Sequence, residues 1–408
     1  MHRVVAPPSH RGLLVANLIA QLAFGLLAMT ICIPSMQEWG ALFGAGQPRV
    51  QLAFSGYVIA YGLLQLVYGP LSDRLGRRRV LLAGLALAGA GSVWAALSTT
   101  LDGLIAARVL QGGGAAAGMV IARALVQDLF EGAERTRVMA WIGMAMGTVP
   151  PTSAIIGGML HVRLGWQASF VLIALLSVVL MAAAWFGLQA QPPVPPVSDA
   201  AARPWWRAMQ ASYAQLAQAP LFLLHVTVLA MTSATFYAFL GAAPLVLGSY
   251  GVGPDGVGWY IGSIPLAYIG GNFITSRLVS RTGDFRVMLL GQLLALGGLL
   301  LTIALALAGH HTALAFALPL AVLGVGHGFL MPTALAGTIA VLPALAGAAA
   351  AVAGLLQQVS GAFAGWAVGL VPHAGALNLA LMMLGFTLLG ACAQWGIGRM
   401  RAAPQRLR

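Results

Sequence analysis

The chain has no lysine, and charge of either sign is scarce: 7% of its 408 residues are Asp, Glu, Lys or Arg. A soluble domain needs about 25% charged residues to cover its surface, so a water-soluble globule of this length is excluded. There are two cysteines, Cys32 and Cys392, in apolar runs near opposite ends. That spacing offers no disulfide framework, no cysteine metal site and no redox pair. Acids are equally few. The nine are Glu38, Asp73, Asp102, Asp128, Glu131, Glu134, Asp199, Asp255 and Asp284, and the apolar pattern puts every one at a span end or in a loop. An enzyme would need convergent catalytic groups, such as paired carboxylates or a His/Asp/Glu cluster. The one adjacent histidine pair, His310 and His311, has no acidic neighbour. Neither an enzyme, a metal site nor a bound cofactor is expected.

What is present is hydrophobic, 60% of the residues. A membrane span needs roughly 20 mainly apolar residues, and twelve such runs occur, at about 13–34, 50–70, 80–98, 101–127, 138–160, 166–188, 220–248, 256–276, 287–308, 312–340, 346–370 and 375–398. All 21 basic residues are arginine. Arg49 and Arg163 fall in one set of loops and Arg108 falls inside a span. The other eighteen fall in the opposite loops and the termini. This asymmetry predicts a multi-pass inner-membrane protein with both termini in the cytoplasm. The net charge of +12 does not signal nucleic acid, because no soluble domain exists on which the arginines could cluster. Arg3 and Arg11 precede a first apolar run too long for a signal-peptide core and without a cleavage site after it, so that run reads as the first span.

The chain repeats itself. A shift of 207 residues superposes Val50 on Val257, Ala60 on Ala267, Tyr61 on Tyr268, Arg74 on Arg281, Gly76 on Gly283, Arg79 on Arg286 and Val80 on Val287. The proline-rich stretch Gln191–Gln218, with Trp205 and Trp206 suited to an interfacial position, separates the repeats. The expected organisation is a six-helix bundle over 1–190, a cytoplasmic linker over 191–218 and a second six-helix bundle over 219–408. In carriers built from parallel repeats, substrate is held near the midplane between the halves.

Three segments carry the polar chemistry. Between the second and third spans runs Gly69-Pro-Leu-Ser-Asp73-Arg74-Leu-Gly76-Arg77-Arg78-Arg79. Gly69 removes a side chain where a helix would pack closely on a neighbour, and Asp73 is the loop's one carboxylate. The fourth span contains Arg108-Val-Leu-Gln111-Gly112. An arginine inside a span costs about 2.5–3.5 kcal/mol on insertion scales, which marks it as functional by default. Gln111 lies nearly one turn on, facing the same way. The fifth span contains Gly143, Gly147, Pro150, Pro151, Gly157 and Gly158, small residues that permit backbone approach and prolines that bend the helix.

The first of these segments resembles the signature loop of the major facilitator superfamily of transporters, where it forms a cytoplasmic charge latch. The resemblance makes Gly69, Asp73, Arg74, Gly76, Arg77 and Arg78 the expected gate, with Arg123 and the start of the eleventh span, after Pro343, as partners of Asp73. The second is similar to the Arg-x-x-Gln-Gly motif of drug and proton antiporters. The third resembles their fifth-helix motif, which ends Gly-Pro-x-x-Gly-Gly; here Ser153-Ala154 replaces Gly-Pro. With Gly-His327-Gly-Phe-Leu-Met-Pro332 in the tenth span and Gln357-Gln358-Val-Ser-Gly in the eleventh, the chain is similar to the Bcr/CflA family of bacterial multidrug efflux carriers. That similarity implies an all-α fold of twelve transmembrane helices in two pseudo-symmetric bundles. It also implies export of small drug-like molecules by alternating access, coupling to protons, and a monomer surrounded by membrane lipids.

One departure stands out. The family usually carries an aspartate late in the first span, before Tyr-Leu-Pro; this chain has Thr30-Ile-Cys-Ile-Pro34. A substrate site with an arginine and no acid favours neutral or anionic compounds over lipophilic cations. The intramembrane groups left to titrate near neutrality are His225 and His327, the latter better placed between two glycines. Besides Arg108, Gln111 and His327, the polar and aromatic groups at suitable depth for a substrate cavity are Asn17, Gln21, Phe24 and Thr30 in the first span, and Phe236, Tyr237 and Phe239 in the seventh. Tyr268 in the eighth and Gln357 and Gln358 in the eleventh complete them. The alternatives are export of a sugar, nucleoside or other metabolite by the same fold, or uncoupled facilitated diffusion.

Overall fold

Backbone N–H and C=O groups in hydrocarbon have no water to bond, so apolar runs of this length must satisfy themselves as helices. The computed structural model describes residues 8–188 and 212–402; most of the linker, including Asp199, Arg203, Trp205, Trp206 and Arg207, lies outside them. The helices are α1 Pro8–Thr30, α2 Met36–Leu42, α3 Gln47–Leu75, α4 Arg77–Leu97, α5 Leu101–Leu129, α6 Gly132–Leu164 and α7 Gln167–Gly187. They continue as α8 Pro220–Ser249, α9 Pro254–Ile261, α10 Ser263–Thr282, α11 Asp284–Leu307, α12 Ala313–Ala340, α13 Ala346–Ala367 and α14 Ala376–Ala402.

Among the described residues, eleven helices are long and apolar enough to cross a membrane. The expected span near 256–276 is divided between α9 and α10 at Gly262, and Tyr268, Asn272, Thr275, Ser276 and Arg277 make α10 more polar than its neighbours. The first span also differs from expectation. It ends as a helix at Thr30, turns through residues 31–35 ahead of α2, and does not run on to Pro34 as one element. Proline biases the residue before it away from helix, and a side chain of α5 takes the terminal carbonyls of α1, as described below.

The described chain forms two compact units. The first holds the chain up to Cys32 and resumes at Gly56; the second holds Ile33–Ser55 and everything described beyond the linker. Within each unit the same three-helix frame recurs, set by glycines at matching places. In the first, a β carbon on Gly114 would lie 2.5 Å from the Gly84 carbonyl and 2.3 Å from the Ala88 nitrogen. In the second, a β carbon on Gly326 would lie 2.5 Å from the Gly291 carbonyl and 2.8 Å from the Ala295 nitrogen. A β carbon on Gly112 would lie 2.4 Å from the Tyr57 carbonyl, and one on Gly324 would lie 2.5 Å from that of Ile264. β carbons on Gly91 and Gly298 would likewise lie 2.9 and 2.6 Å from the Ala107 and Pro319 carbonyls. Removing side chains lets backbones touch, which drives helix association where no hydrophobic effect acts between helices in lipid. The repeat in the sequence is thus a repeat of backbone contacts: α3–α4–α5 and α10–α11–α12 are one packing solution used twice.

The turns repeat as well. Gly76 and Gly283, 207 positions apart, both adopt positive φ, 93° and 81°, between consecutive helices. Two expected close approaches are absent. Gly69 meets only an ordinary contact, Val120 at 4.0 Å, and Gly143 has nothing within 4 Å, because α6 presents it outward. In α6 the tight position is Gly157, whose added β carbon would overlap the Ile31 carbonyl.

Gly114→Val should therefore lose about 1–3 kcal/mol or more by overpacking, read as a fall in Tm and detergent-extractable yield. Gly143→Ala should leave both unchanged.

Candidate functional site

Arg108, on α5, is fully buried in the first unit. Its Nη1 donates to the Ala28 carbonyl at 2.7 Å and to Gln111 Oε1; its Nη2 donates to the Met29 carbonyl at 3.2 Å. Ala28 and Met29 belong to the last turn of α1, where carbonyls lack intrahelical partners and the helix dipole is negative. A broken helix end therefore supplies the oxygens that a carboxylate would otherwise offer. The guanidinium also lies over the Tyr57 ring, 4.3 Å from its centroid, with the Phe170 ring at 5.9 Å. Cation–π contact strengthens when desolvated. Tyr57 is itself fixed by its hydroxyl, which donates to the Gly25 carbonyl at 2.7 Å.

The network continues into α4. Gln111 Nε2 donates to Ser92 Oγ at 2.8 Å, and that hydroxyl donates to the Ala88 carbonyl at 2.7 Å. Gly91, beside Ser92, lets α4 approach the backbone of Gln111 closely. Tyr57 and Ser92 are parts of the site that motif reading misses. The signals were present: tyrosines four apart at 57 and 61, and a serine next to a glycine in an apolar helix.

The second unit provides an internal control. On the repeated frame, Tyr57, Ser92, Arg108 and Gln111 correspond to Ile264, Leu299, Leu320 and Leu323, all buried. The same backbone contacts form with apolar side chains in all four places, so packing alone does not require the polar set. At the crossovers of the first unit, α1 stops at Thr30, whereas α8 runs on to Ser249.

The two departures from the antiporter pattern meet each other. The Thr30 and Ser153 hydroxyls are hydrogen-bonded, and Ser153 also donates to the Pro150 carbonyl at 2.9 Å. Pro150, Pro151 and Gly158 are buried around them, as is Gly147. The other first-span candidates tie α1 to α7: Asn17 Nδ2 donates to the Ala183 carbonyl, and Gln21 Nε2 to that of Leu180. Phe24 is buried in the same unit.

In the second unit the structure brings together Tyr237, Gln357 and Gln358. The Tyr237 hydroxyl donates to Gln358 Oε1 at 3.0 Å, and Gln357 Nε2 donates to Ser233 Oγ at 3.2 Å. Gly361 makes room for the Tyr237 ring, which Phe236 meets at an angle. Phe239 is not part of this group: it is fully buried and stacks on Phe316 of α12. Tyr268, half-buried on α10, hydrogen-bonds Asn272 one turn on. His327 is buried on α12 between Gly326 and Gly328, the glycines that touch α11 and α10. His225 lies against Gly337, with Nδ1 hydrogen-bonded to the Leu221 carbonyl.

At the signature loop, Asp73 pairs with Arg77, four residues on, at 2.6 Å. Arg77 in turn reaches Asp128, at the end of α5, at 3.3 Å and Ser72 Oγ at 2.7 Å. The expected pairing of Asp73 with Arg123 is therefore not the one made. Arg123 instead donates to Met146 Sδ at 3.5 Å on α6. Arg78 stacks over Trp185 at 4.4 Å. Arg74 and Gly76 flank the turn. Among the described residues no group of three His, Cys, Asp or Glu side chains could hold a metal ion.

The chain matches the Major Facilitator Superfamily over residues 13–365. It is 30% identical to multidrug resistance protein D of Escherichia coli, over 92% of this chain and 93% of that one. It is 28% identical to a chloramphenicol resistance protein of Pseudomonas aeruginosa, over 78% and 75% of the two chains. With multidrug resistance protein MdtL of Shewanella oneidensis the identity is 24%, over 89% and 91%.

The internal control generates a stability test. Arg108→Leu alone leaves Gln111 Oε1 without its donor in the interior, a loss of about 1–3 kcal/mol. Replacing Ser92, Arg108 and Gln111 together by leucine reproduces three of the second unit's four side chains. The triple variant should have the higher Tm of the two.

Proposed function

The chain belongs to the major facilitator superfamily, and on that premise we propose that it exports small drug-sized compounds across the bacterial inner membrane by alternating access. Membership of a transporter superfamily makes it a multi-pass membrane carrier and not an enzyme. The relatives named for multidrug and chloramphenicol resistance support a drug as the cargo. The arginine-rich loops support a cytoplasmic position for both termini.

The observation that carries the site assignment is the buried Arg108–Gln111–Ser92 network, present in one repeat and replaced by leucines in the other. Polar groups kept inside a membrane bundle at a cost to insertion are kept for function. We assign Arg108 and Gln111 to the transport machinery of the first unit, and Tyr237, Gln357 and Gln358 to substrate contact in the second. A phenol and two amides orient a drug-sized molecule through hydrogen bonds and stacking.

Charge selects the cargo. Every described carboxylate is exposed or half-exposed at a helix end or loop, so nothing anionic lies inside the spans to attract a lipophilic cation. The preferred substrates are neutral or anionic. Proton coupling, where one charge crossing 100 mV is worth about 2.3 kcal/mol, then falls to His327. The same lack of an intramembrane acid favours uncoupled facilitation as the second reading.

Expression in a drug-sensitised strain should raise resistance to chloramphenicol, a neutral probe, and leave ethidium resistance unchanged; efficient ethidium efflux would count against the charge argument. In proteoliposomes, an imposed pH gradient should drive chloramphenicol accumulation, and His327→Ala should uncouple uptake from proton flux. Uptake indifferent to the gradient in the parent protein selects facilitated diffusion.

A further inference from the structure

In the first unit α4 and α7 each turn one face to a shared cleft of about 460 Å³. On α4 the lining runs from Ala86 to Leu97 and on α7 from Val171 to Met181, mostly at steps of three and four residues that keep it on one side of each helix. At Gly89 the helices touch: a β carbon there would lie 2.4 Å from Ser177 Oγ. Small residues, Ala90 and Ala174 among them, leave the space beside that contact. The lining is apolar but for Ser177, whose hydroxyl already donates to the Ala174 carbonyl at 2.6 Å. Leu97 and Val178 are exposed, at 75% and 63%, so the cleft opens on the outside of the unit. An apolar surface of this kind on a membrane span faces lipid.

The second unit fills the corresponding places. Gly84 and Gly91 match Gly291 and Gly298 in their backbone contacts. On that frame Ala86, Gly89 and Ala96 correspond to Leu293, Leu296 and Ile303. The shared packing therefore accepts large side chains where α4 carries small ones, and the cleft is not a requirement of the fold.

Its dimensions and its rim indicate what it takes. Leu97 lies eleven positions beyond Ala86, a rise of about 16 Å. Half of the ~30 Å hydrocarbon core of a bilayer is about 15 Å. Leu97 also ends α4 on the side away from the signature loop, so the cleft is one leaflet deep. Flanking its mouth in the chain are one charge of each sign: exposed Arg163, four residues before α7 begins, and Asp102 in the first turn of α5. Among the described residues Arg163 is the one arginine at that end of the first unit, against the bias that gathers arginines on the other side. A guanidinium donates to phosphate, and a carboxylate accepts from an ammonium group. No candidate span is less buried than α7, at 22%, so α7 has the most to gain from an added partner.

We propose that the α4–α7 cleft binds one zwitterionic phospholipid of the leaflet opposite the signature loop, with an acyl chain along Gly89 to Leu97, its phosphate at Arg163 and its ammonium group at Asp102. The lipid braces α7 against α4, whatever the carrier's cargo.

The test uses full-length protein purified in mild detergent, with phosphatidylethanolamine as the added lipid. Native mass spectrometry should show the parent retaining one phospholipid. Ala86→Leu/Ala96→Ile, which copies α11, should retain none. After the lipid is stripped, phosphatidylethanolamine should raise the Tm of the parent and leave that of the double variant unchanged. Arg163→Gln should need about tenfold more lipid for the same rise. Diacylglycerol, which has the chains without the headgroup, should be at least that much weaker on the parent. Equal lipid retention by the folded double variant overturns the site, as does a lipid response indifferent to Arg163→Gln. Displacement of the lipid by chloramphenicol also overturns it, by making the cleft a drug subsite. Where the double variant fails to fold, Ala96→Ile alone decides the matter by the same lipid count.

Discussion

A guanidinium buried in a helix bundle must find oxygens, and in this chain the end of α1 supplies them. Arg108 takes the carbonyls of Ala28 and Met29, and Gln111 and Tyr57 complete its surroundings. Much else depends on that contact. α1 stops at Thr30, where its terminal carbonyls are claimed from outside the helix. The chain changes unit two residues later. α5 is held against α1, α3 and α4 by the same side-chain group that its glycines allow to come so near. The missing first-span aspartate is thus not a missing charge partner: the site is electrically complete with carbonyl dipoles and one amide. That arrangement leaves an arginine with no acid beside it, which is the physical basis of the proposed preference for neutral or anionic cargo.

Having the frame twice separates what folding needs from what transport needs. Glycines recur at corresponding positions because backbone approach is a geometric demand that both repeats share. The polar side chains do not recur. Leu299, Leu320 and Leu323 fill the places of Ser92, Arg108 and Gln111, and Ile264 that of Tyr57, all out of contact with solvent. Two copies of one packing problem, solved once with polar groups and once without, are the ground on which we propose that the first unit carries the chemistry. In the second, Tyr237 and Gln358 are hydrogen-bonded to each other and Gln357 to Ser233, the group we assign to substrate contact.

Much of this was legible in the sequence, for reasons that differ by element. The spans could be read because apolar length is a one-dimensional property, and the repeat because the Arg-x-Gly-x-x-Arg-Val turn recurs after 207 residues. Arg108 and Gln111 stood out because charge and amides are rare in apolar runs. The break of α1 at Thr30 was not legible: it depends on a contact with α5, 80 positions away. Nor was the pairing of Asp73, since sequence gives the loop's charges without saying which arginine reaches the carboxylate; Arg77 does, from the first residue of α4 across the turn at Gly76. Asn17 and Gln21 look like cavity groups in one dimension. In three they bond α7 carbonyls, and nothing in a sequence distinguishes an amide facing a substrate from one facing a neighbouring helix. The role of Gly157 was visible, but Gly69 and Gly143 show that a motif glycine need not mark the close contact.

The central claim is that the Arg108 network serves transport and not folding. It is tested most directly by chloramphenicol flux in proteoliposomes containing the Ser92→Leu/Arg108→Leu/Gln111→Leu protein, reconstituted at the same density as the parent. The account predicts a folded, monodisperse protein that carries no substrate. Flux at the parental rate through that apolar core would contradict it.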